Sequence, residues 1–142
     1  NHYEISSYAK KNKECQHNLH YWNLSPYLSF GPSAHSYDLN KRWWNKQSLD
    51  TYIQDIKNDK LPIEDSEILT KKDNFNELVL NGLRLSNGLN MDNLKYYEDF
   101  FNKDQLNVMN NKWDCLSVND KNIKLTNKGF LFVDEITKEL FV

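Results

Sequence analysis

The densest group of chemically capable side chains lies in an eight-residue stretch that begins at Cys15. The stretch carries two imidazoles, an amide and two large aromatic rings, from His17, Asn18, His20, Tyr21 and Trp22. A neutral imidazole nitrogen ligates iron or zinc, and the aromatic rings supply apolar area with a polar handle. The stretch therefore suits a planar hydrophobic ligand or a metal. The alternative is a loop held by its own polar side chains, with the aromatic rings filling a core.

A zinc site and a cysteine nucleophile are weaker interpretations of the same stretch. Zinc takes about four nitrogen or thiolate ligands, whereas Cys15, His17 and His20 offer at most three from one segment. No orienting acid lies nearby in the sequence apart from the distant Glu4. We therefore predict no catalytic residue. The two cysteines, Cys15 and Cys115, form neither a CxxC pair nor a disulfide framework, which favours a reducing compartment.

A second candidate region is the turn of small residues that follows Phe30. Gly31 and Pro32 break any periodic pattern, and Ser33 and Ala34 continue the turn. A strand that runs into such a loop brings backbone close to a ligand in α/β folds. Ser33 would donate a hydrogen bond there, or would only stabilise the turn. Further on, Arg42 and the two tryptophans after it would stack on a flat ligand or pack at a domain interface.

The elements that position these residues follow from hydrophobic spacing. Two strands, at residues 3–7 and 27–30, are joined by a long loop that holds the histidines. Leu49, Tyr52, Ile53 and Ile56 predict an amphipathic helix that ends by Pro62. A longer helix follows from Leu69 to Leu85, with a C-cap at Asn87-Gly88. A helix carrying Leu94 to Phe101 and a short helix with Leu106 and Met109 come next. The last elements are a hairpin at 115–118 and 123–125 and a final helix capped by Thr126. Three helices, a β-wing and a closing helix predict a winged-helix-like domain.

Composition limits the function classes. The chain has 142 residues, 39% of them hydrophobic, and a net charge of -2. The apolar runs are far shorter than the roughly 20 residues of a spanning helix, and no signal segment opens the sequence. We expect a cytoplasmic protein without a membrane span. We also expect no nucleic-acid binding. The candidate recognition helix, residues 104–112, carries a single lysine and no arginine, so it and the overall charge balance offer few cations to phosphates.

Taken in order, several motifs resemble the end of the catalytic barrel, and the domain after it, in radical S-adenosylmethionine (SAM) proteins of the oxygen-independent coproporphyrinogen III oxidase-like family. These are Tyr3-Glu4-Ile5-Ser6, His17-Asn18-x-x-Tyr21-Trp22, Tyr27-Leu28-x-Phe30-Gly31-Pro32-x-Ala34-His35-Ser36, Arg42 with Tyr52, Gly82-Leu83-Arg84-Leu85, Asn87-Gly88-Leu89, and Leu125-Thr126-x-x-Gly129. The resemblance covers nearly all of the chain. It implies an α+β fold, in which the last strands of a truncated radical SAM α/β barrel (residues 1–47) precede a mainly helical, winged-helix-like accessory domain (residues 48–142).

The resemblance also implies a function. The His17-Asn18-x-x-Tyr21-Trp22 motif is associated with haem chaperones, which bind haem and deliver it to partners. It makes these four residues the expected haem-binding set, with His17 as ligand of the haem iron. Phe30, Gly31, Ser33 and Ala34 would lie at the end of the barrel that holds SAM or substrate. Ser33 stands where the chaperones usually have glycine, which keeps a coproporphyrinogen III oxidase as the alternative, beside a non-catalytic winged-helix interaction module.

The cofactors implied for a full-length parent are a [4Fe–4S] cluster and SAM. The CxxxCxxC triad that would hold the cluster is absent from this sequence. We therefore expect a C-terminal portion that binds no cluster and is inactive by itself. The implied partners are haem or a porphyrinogen and a haem-receiving protein.

Overall fold

The structure is a computed structural model that describes residues 1–101 and 103–142. Its helices are α1 (Gln16–Trp22), α2 (Leu49–Lys57), α3 (Lys71–Arg84), α4 (Met91–Lys95), α5 (Lys103–Trp113) and α6 (Val133–Leu140), with a 3₁₀ turn at Gly129–Phe132. Its strands are β1 (His2–Glu4), β2 (Ser7–Tyr8), β3 (His35–Tyr37), β4 (Lys41–Asn45), β5 (Ile63–Ile68), β6 (Leu89–Asn90), β7 (Leu116–Val118) and β8 (Asn122–Leu125). The predicted mixture of helices and strands is confirmed.

The elements form two compact units. The first combines Asn1–Leu24 with Lys71–Val142, and the second is Ser25–Thr70. The predicted boundary between residues 47 and 48 rests on barrel membership in a larger protein, and it stays a prediction. All strand pairs among the described residues are antiparallel, and no closed barrel forms in that part of the chain.

The longest helix, α3, carries the core of the first unit. Phe75, Val79 and Leu83 recur every fourth residue and are fully buried, because residues four apart lie on one helix face. Each such side chain contributes roughly 1.5–3 kcal/mol by its burial. The helix begins at Lys71 rather than at the predicted Leu69, which follows β5 directly.

The turn after α3 depends on Gly88. It has a φ of 72°, and its N–H donates to the carbonyl of Leu85, so it closes a turn beyond the helix and is not the predicted C-cap. A Cβ at this position would lie 2.1 Å from the carbonyl oxygen of Ile123. The left-handed backbone and the close approach of β8 together require glycine here.

The C-terminal part of the first unit has the predicted winged-helix arrangement. Strand β6 pairs with β8, which also pairs with β7, in the order β6-β8-β7. The predicted hairpin is confirmed as β7 and β8, and Asn119 closes its turn by accepting hydrogen bonds from the N–H groups of Lys121 and Asn122. The Thr126 hydroxyl accepts from the Gly129 N–H, as expected of a cap. That cap opens the 3₁₀ turn, and α6 begins only at Val133.

The second unit is a small antiparallel sheet, β3-β4-β5, with helix α2. The amphipathic helix predicted from Leu49 is confirmed as α2, and the Ser48 side chain caps it. The predicted strand at 27–30 is reduced to a single bridge between Tyr27 and Tyr37. Strands β3, β4 and β5 were not predicted. Strand β5, for example, reads Ile-Glu-Asp-Ser-Glu-Ile and lacks apolar alternation.

Duplex DNA should bind the winged-helix part no better than weakly and non-specifically at physiological salt. In the candidate recognition helix α5, Lys112 is already paired with Glu139 of α6, so few counterions would be released on contact with phosphates. An electrophoretic shift assay with random and mixed-sequence duplexes checks this. Sequence-specific, submicromolar binding would contradict the expectation. Among the described residues, no helix is long and apolar enough to cross a membrane.

Candidate functional site

Helix α1 replaces the loop that was predicted to hold the histidines. Its seven residues carry His17 and Tyr21 four positions apart, so both lie on one exposed face. The two rings meet edge to face at 5.1 Å between centroids, and Tyr21 Oη lies 3.4 Å from His17 Nε2. This helix was hard to predict from the sequence, because the segment is short and Cys15 provides no side-chain cap.

Trp22 points elsewhere from the same helix. It follows His17 by five residues, which is about 140° around a helix of 3.6 residues per turn. Its half-buried ring lies beneath Arg84, whose guanidinium carbon is 5.1 Å from the ring centroid. The indole Nε1 is buried and has no hydrogen-bond partner among the described residues. The predicted haem-binding set is therefore divided: His17, Asn18 and Tyr21 are exposed, and Trp22 packs against α3.

A cleft of about 280 Å³ lies beside Trp22. Its lining combines apolar side chains with amides and includes Leu78, Leu85, Leu89, Asn90 and Asn93. The cleft lies within the first unit.

Glu4 is a buried carboxylate that the sequence analysis did not select. Its side chain is 0% exposed, and its Oε1 accepts hydrogen bonds from Arg84 Nε and Nη2 at 3.2 and 3.0 Å. Its Oε2 accepts from the Ser6 N–H and from the hydroxyls of Ser6 and Ser7. Burial disfavours the charged form, but the hydrogen bonds from Ser7, Ser6 and Arg84 outweigh it and lower the pKa of Glu4 below its ordinary value.

Backbone hydrogen bonds tie the same two segments together. The Ile5 N–H donates to the Arg84 carbonyl, and the Ser86 N–H donates to the Tyr3 carbonyl. The Tyr3 hydroxyl in turn accepts from the N–H of Cys15 at the start of α1. Three motifs that are far apart in sequence, at residues 3–6, 17–22 and 82–85, thus meet in one place. Spacing and periodicity did not predict this meeting, because it depends on pairing between segments that are about 80 residues apart.

In the second unit, the turn at Gly31 is held from two sides. The Tyr52 hydroxyl accepts from the Gly31 N–H, and Asn45 Nδ2 donates to the Gly31 carbonyl. Of the predicted SAM or substrate residues, Phe30 is 81% exposed. Ser33 borders a cavity of about 710 Å³, which His35 and Lys46 also line. His35 stacks on Trp44 across β3 and β4, at 5.6 Å between ring centroids.

Ser33 has a φ of 57°, in the left-handed region that favours glycine. We expect Ser33→Gly to leave the fold intact and to raise the free energy of unfolding by up to about 1 kcal/mol, since relief of strain exceeds the added backbone entropy. Ser33→Val should lower it instead, because a β-branched residue is strained at this φ. Urea unfolding of the two variants checks the prediction, and equal destabilisation by both would contradict it.

The chain's own thiols do not fit a [4Fe–4S] cluster. The sequence contains two cysteines, of which Cys15 is exposed and Cys115 is buried, whereas a cluster is held by about four thiolates or three in a fixed array. Among residues 1–101 and 103–142, no group of three or more potential metal ligands occurs.

No protein-family model matches the chain, but individual proteins do. The chain is 37% identical to a protein from Mycobacterium tuberculosis named "Heme chaperone HemW", over 61% of the chain and 22% of that protein. It is 31% identical to a heme chaperone HemW-like protein from Buchnera aphidicola subsp. Baizongia pistaciae, over 99% of the chain and 38% of that protein.

A solved structure shares the fold. It is the radical SAM enzyme coproporphyrinogen III oxidase (HemN) from Escherichia coli, with a TM-score of 0.62 and 21% identity, over 82% of this chain and 28% of that one. The chain thus spans about a fifth to two fifths of the length of these relatives. These matches confirm the resemblance to radical SAM proteins of the coproporphyrinogen III oxidase-like and haem chaperone group, and the chain's partial coverage of them fits a C-terminal portion.

Proposed function

We propose that the chain is part of a haem chaperone-like radical SAM protein of the cytoplasm that binds haem and delivers it to a partner. The observation that carries the proposal is the exposed face of α1. There an imidazole, His17, is oriented by an aromatic neighbour, Tyr21, at 5.1 Å between ring centroids. Imidazole is a standard axial ligand of haem iron. We assign His17 as the ligand of the haem iron.

The other motif residues have separate roles in this proposal. Tyr21 keeps the His17 ring in place and offers apolar area to the macrocycle, and Asn18, which is exposed on the same short helix, offers an amide to a polar edge of the ligand. Trp22 fixes the helix to the first unit. A full-length parent would hold a [4Fe–4S] cluster and SAM through residues outside this chain, and Phe30, Gly31, Ser33 and Ala34 would border the SAM or substrate end of its barrel.

A second candidate is a portion of an oxygen-independent coproporphyrinogen III oxidase. It is favoured by serine rather than glycine at position 33, despite a φ of 57° there. The ligand would then be an iron-free porphyrinogen, and iron ligation would play no part. A winged-helix module that only docks partners is a third candidate, supported by the β6-β8-β7 sheet.

Titration of the chain with ferric haem, followed by absorption spectroscopy, tests the first proposal against the others. A parallel titration with iron-free coproporphyrin III is the matched control, because it keeps the macrocycle and the carboxylates but has no iron. We expect saturable one-to-one binding of haem with a shifted Soret band, and much weaker binding of the iron-free compound. Equal affinity for haem and for the iron-free compound would favour the oxidase candidate. If the chain bound neither compound, the result would favour the winged-helix docking module.

A further inference from the structure

Helix α1 is too short to be stable by itself. It has seven residues, and none of them is buried. Helix nucleation is unfavourable, and isolated helices below about 12 residues are marginal in water. The N-cap residue Cys15 makes no side-chain cap bond, and the first turn carries no acidic residue. The order of α1 must therefore come from its contacts with the rest of the first unit.

A hydrogen bond at the start of the helix and a ring contact at its end link α1 to the rest of the first unit. At its start, the Cys15 N–H donates to the Tyr3 hydroxyl at 3.4 Å, a long hydrogen bond. At its end, the Trp22 ring lies 5.1 Å from the guanidinium carbon of Arg84. A guanidinium over an indole face is the stronger form of cation–π contact. The contact at Trp22 is therefore the better anchor of the two.

Arg84 is itself held in a fixed orientation. Both its Nε and its Nη2 donate to Glu4 Oε1, at 3.2 and 3.0 Å, and Glu4 is held in turn by Ser6 and Ser7. The guanidinium plane is thereby set by a buried carboxylate. An ammonium group in its place would keep the charge but would lose the planar fork.

We propose that Arg84, oriented by Glu4, is a positioning residue that fixes α1 through Trp22 and so presents His17 and Tyr21 to the ligand. The proposal rests on the proposed haem-binding function for its effect on the ligand, but its effect on the order of α1 is independent of that function. Arg84 touches neither His17 nor haem in this scheme. Its influence on binding passes through the position of the helix.

The test uses Arg84→Lys, Trp22→Leu and the double variant. Arg84→Lys keeps a cation for Glu4, so the buried carboxylate is not left without a partner. In the apo chain, we measure amide hydrogen exchange of Leu19 and Asn23, whose N–H groups bond to the Cys15 and Leu19 carbonyls. We expect their exchange to accelerate about fivefold in Trp22→Leu, the effect of losing one cation–π contact, and by a smaller factor in Arg84→Lys, whose ammonium keeps the charge but not the planar fork. The exchange of the double variant should be no faster than that of Trp22→Leu, because Arg84 acts on α1 through the Trp22 ring.

Haem affinity provides the second measurement. It should fall about fivefold in Trp22→Leu and by a smaller factor in Arg84→Lys, while the Soret band of the bound fraction stays at the wild-type position, because His17 remains the ligand. Lys71→Ala is the matched control. Lys71 lies in the same unit, pairs with Asp99 and sits 4.9 Å from the Tyr96 ring centroid, so its loss should change neither measurement.

Unchanged exchange of Leu19 and Asn23 in Arg84→Lys and Trp22→Leu would overturn the proposal, whatever the haem titrations give. Faster exchange in α3 to the same extent would also overturn it, because it would indicate general destabilisation. A wild-type chain that binds no haem would count against the proposed function only, since the exchange measurement would still decide whether Arg84 positions α1.

Discussion

Replacing Glu4 with alanine should lower the free energy of unfolding by about 3 kcal/mol, the lower end of the range for breaking a buried ion pair. The lower end applies because the Arg84 side chain is 24% exposed and keeps some access to water. The variant also removes the acceptor of three hydrogen bonds from Ser6 and Ser7. Urea unfolding followed by circular dichroism measures the change.

The matched control is Asp99→Ala, which removes the acid of an exposed ion pair in the same unit. Asp99 Oδ2 lies 2.8 Å from Lys71 Nζ, but its side chain is 70% exposed. Exposed pairs of this kind contribute little to stability, because water and salt screen the two charges. A loss of similar size in both variants would show that the burial of Glu4 does not matter.

The same carboxylate gives the stability a defined pH dependence. Because the pKa of Glu4 is lower in the folded chain than its ordinary 4.5, the ion pair stabilises the fold fully above that ordinary value. Its contribution is lost as the pH falls below 4.5 and through the lowered folded value. Glu4→Gln should remove this part of the acid dependence. A wild type and a Glu4→Gln variant that lose stability in parallel below pH 4.5 would contradict the assignment.

The second large effect is expected at His17. In the haem titration, His17→Ala should weaken binding at least tenfold, which corresponds to about 1.4 kcal/mol, and should move the Soret band. Loss of an axial imidazole removes the iron–nitrogen bond but leaves the nearby aromatic rings. Indistinguishable haem titration curves for His17→Ala and wild type would indicate that His17 is structural and does not ligate the iron.

Two further variants identify which group on α1 binds the iron. His20→Ala should change the affinity less than about twofold, because no ring contact orients His20 among the residues that the structure describes. Tyr21→Phe keeps the ring but removes the hydroxyl that lies 3.4 Å from His17 Nε2. An exposed hydrogen bond contributes toward the low end of about 0.5–1.5 kcal/mol, so we expect a change within about threefold. Complete loss of binding in Tyr21→Phe would indicate a phenolate ligand instead.

Helices with regular apolar spacing were predictable from the sequence. Phe75, Val79 and Leu83 mark α3 without ambiguity, and the hairpin of β7 and β8 follows from a polar turn between two apolar runs. These elements obey local rules, because one periodic face or one turn decides them. The observed helix boundaries differ from the predicted ones by several residues, as at the start of α3 (Lys71) and of α6 (Val133). Tertiary contacts as well as local sequence determine where a helix begins.

The elements that were missed depend on contacts across the chain. Helix α1 has seven residues and no side-chain cap, so nothing local distinguishes it from a loop. Strands β4 and β5 carry charged residues on both faces and are specified by their pairing, as between Arg42 and Glu67. The candidate site was found only as a set of residue types. Its division into an exposed His17 face and a packed Trp22 could be seen only once α1 was known to be a helix.

The first compact unit is interrupted in sequence by the second, and this has a consequence for synthesis on the ribosome. Glu4 and Arg84 are 80 residues apart, and at about 5–20 residues per second their contact becomes available about 4–16 s after Glu4 is made. Closing so long a loop costs entropy before any contact repays it. Until α3 emerges, β1 has an unpaired edge and the carboxylate of Glu4 stays in water. If translation stalls at residues 25–70, the nascent chain therefore contains the motifs at residues 3–6 and 17–22 but lacks helix α3, which orders them.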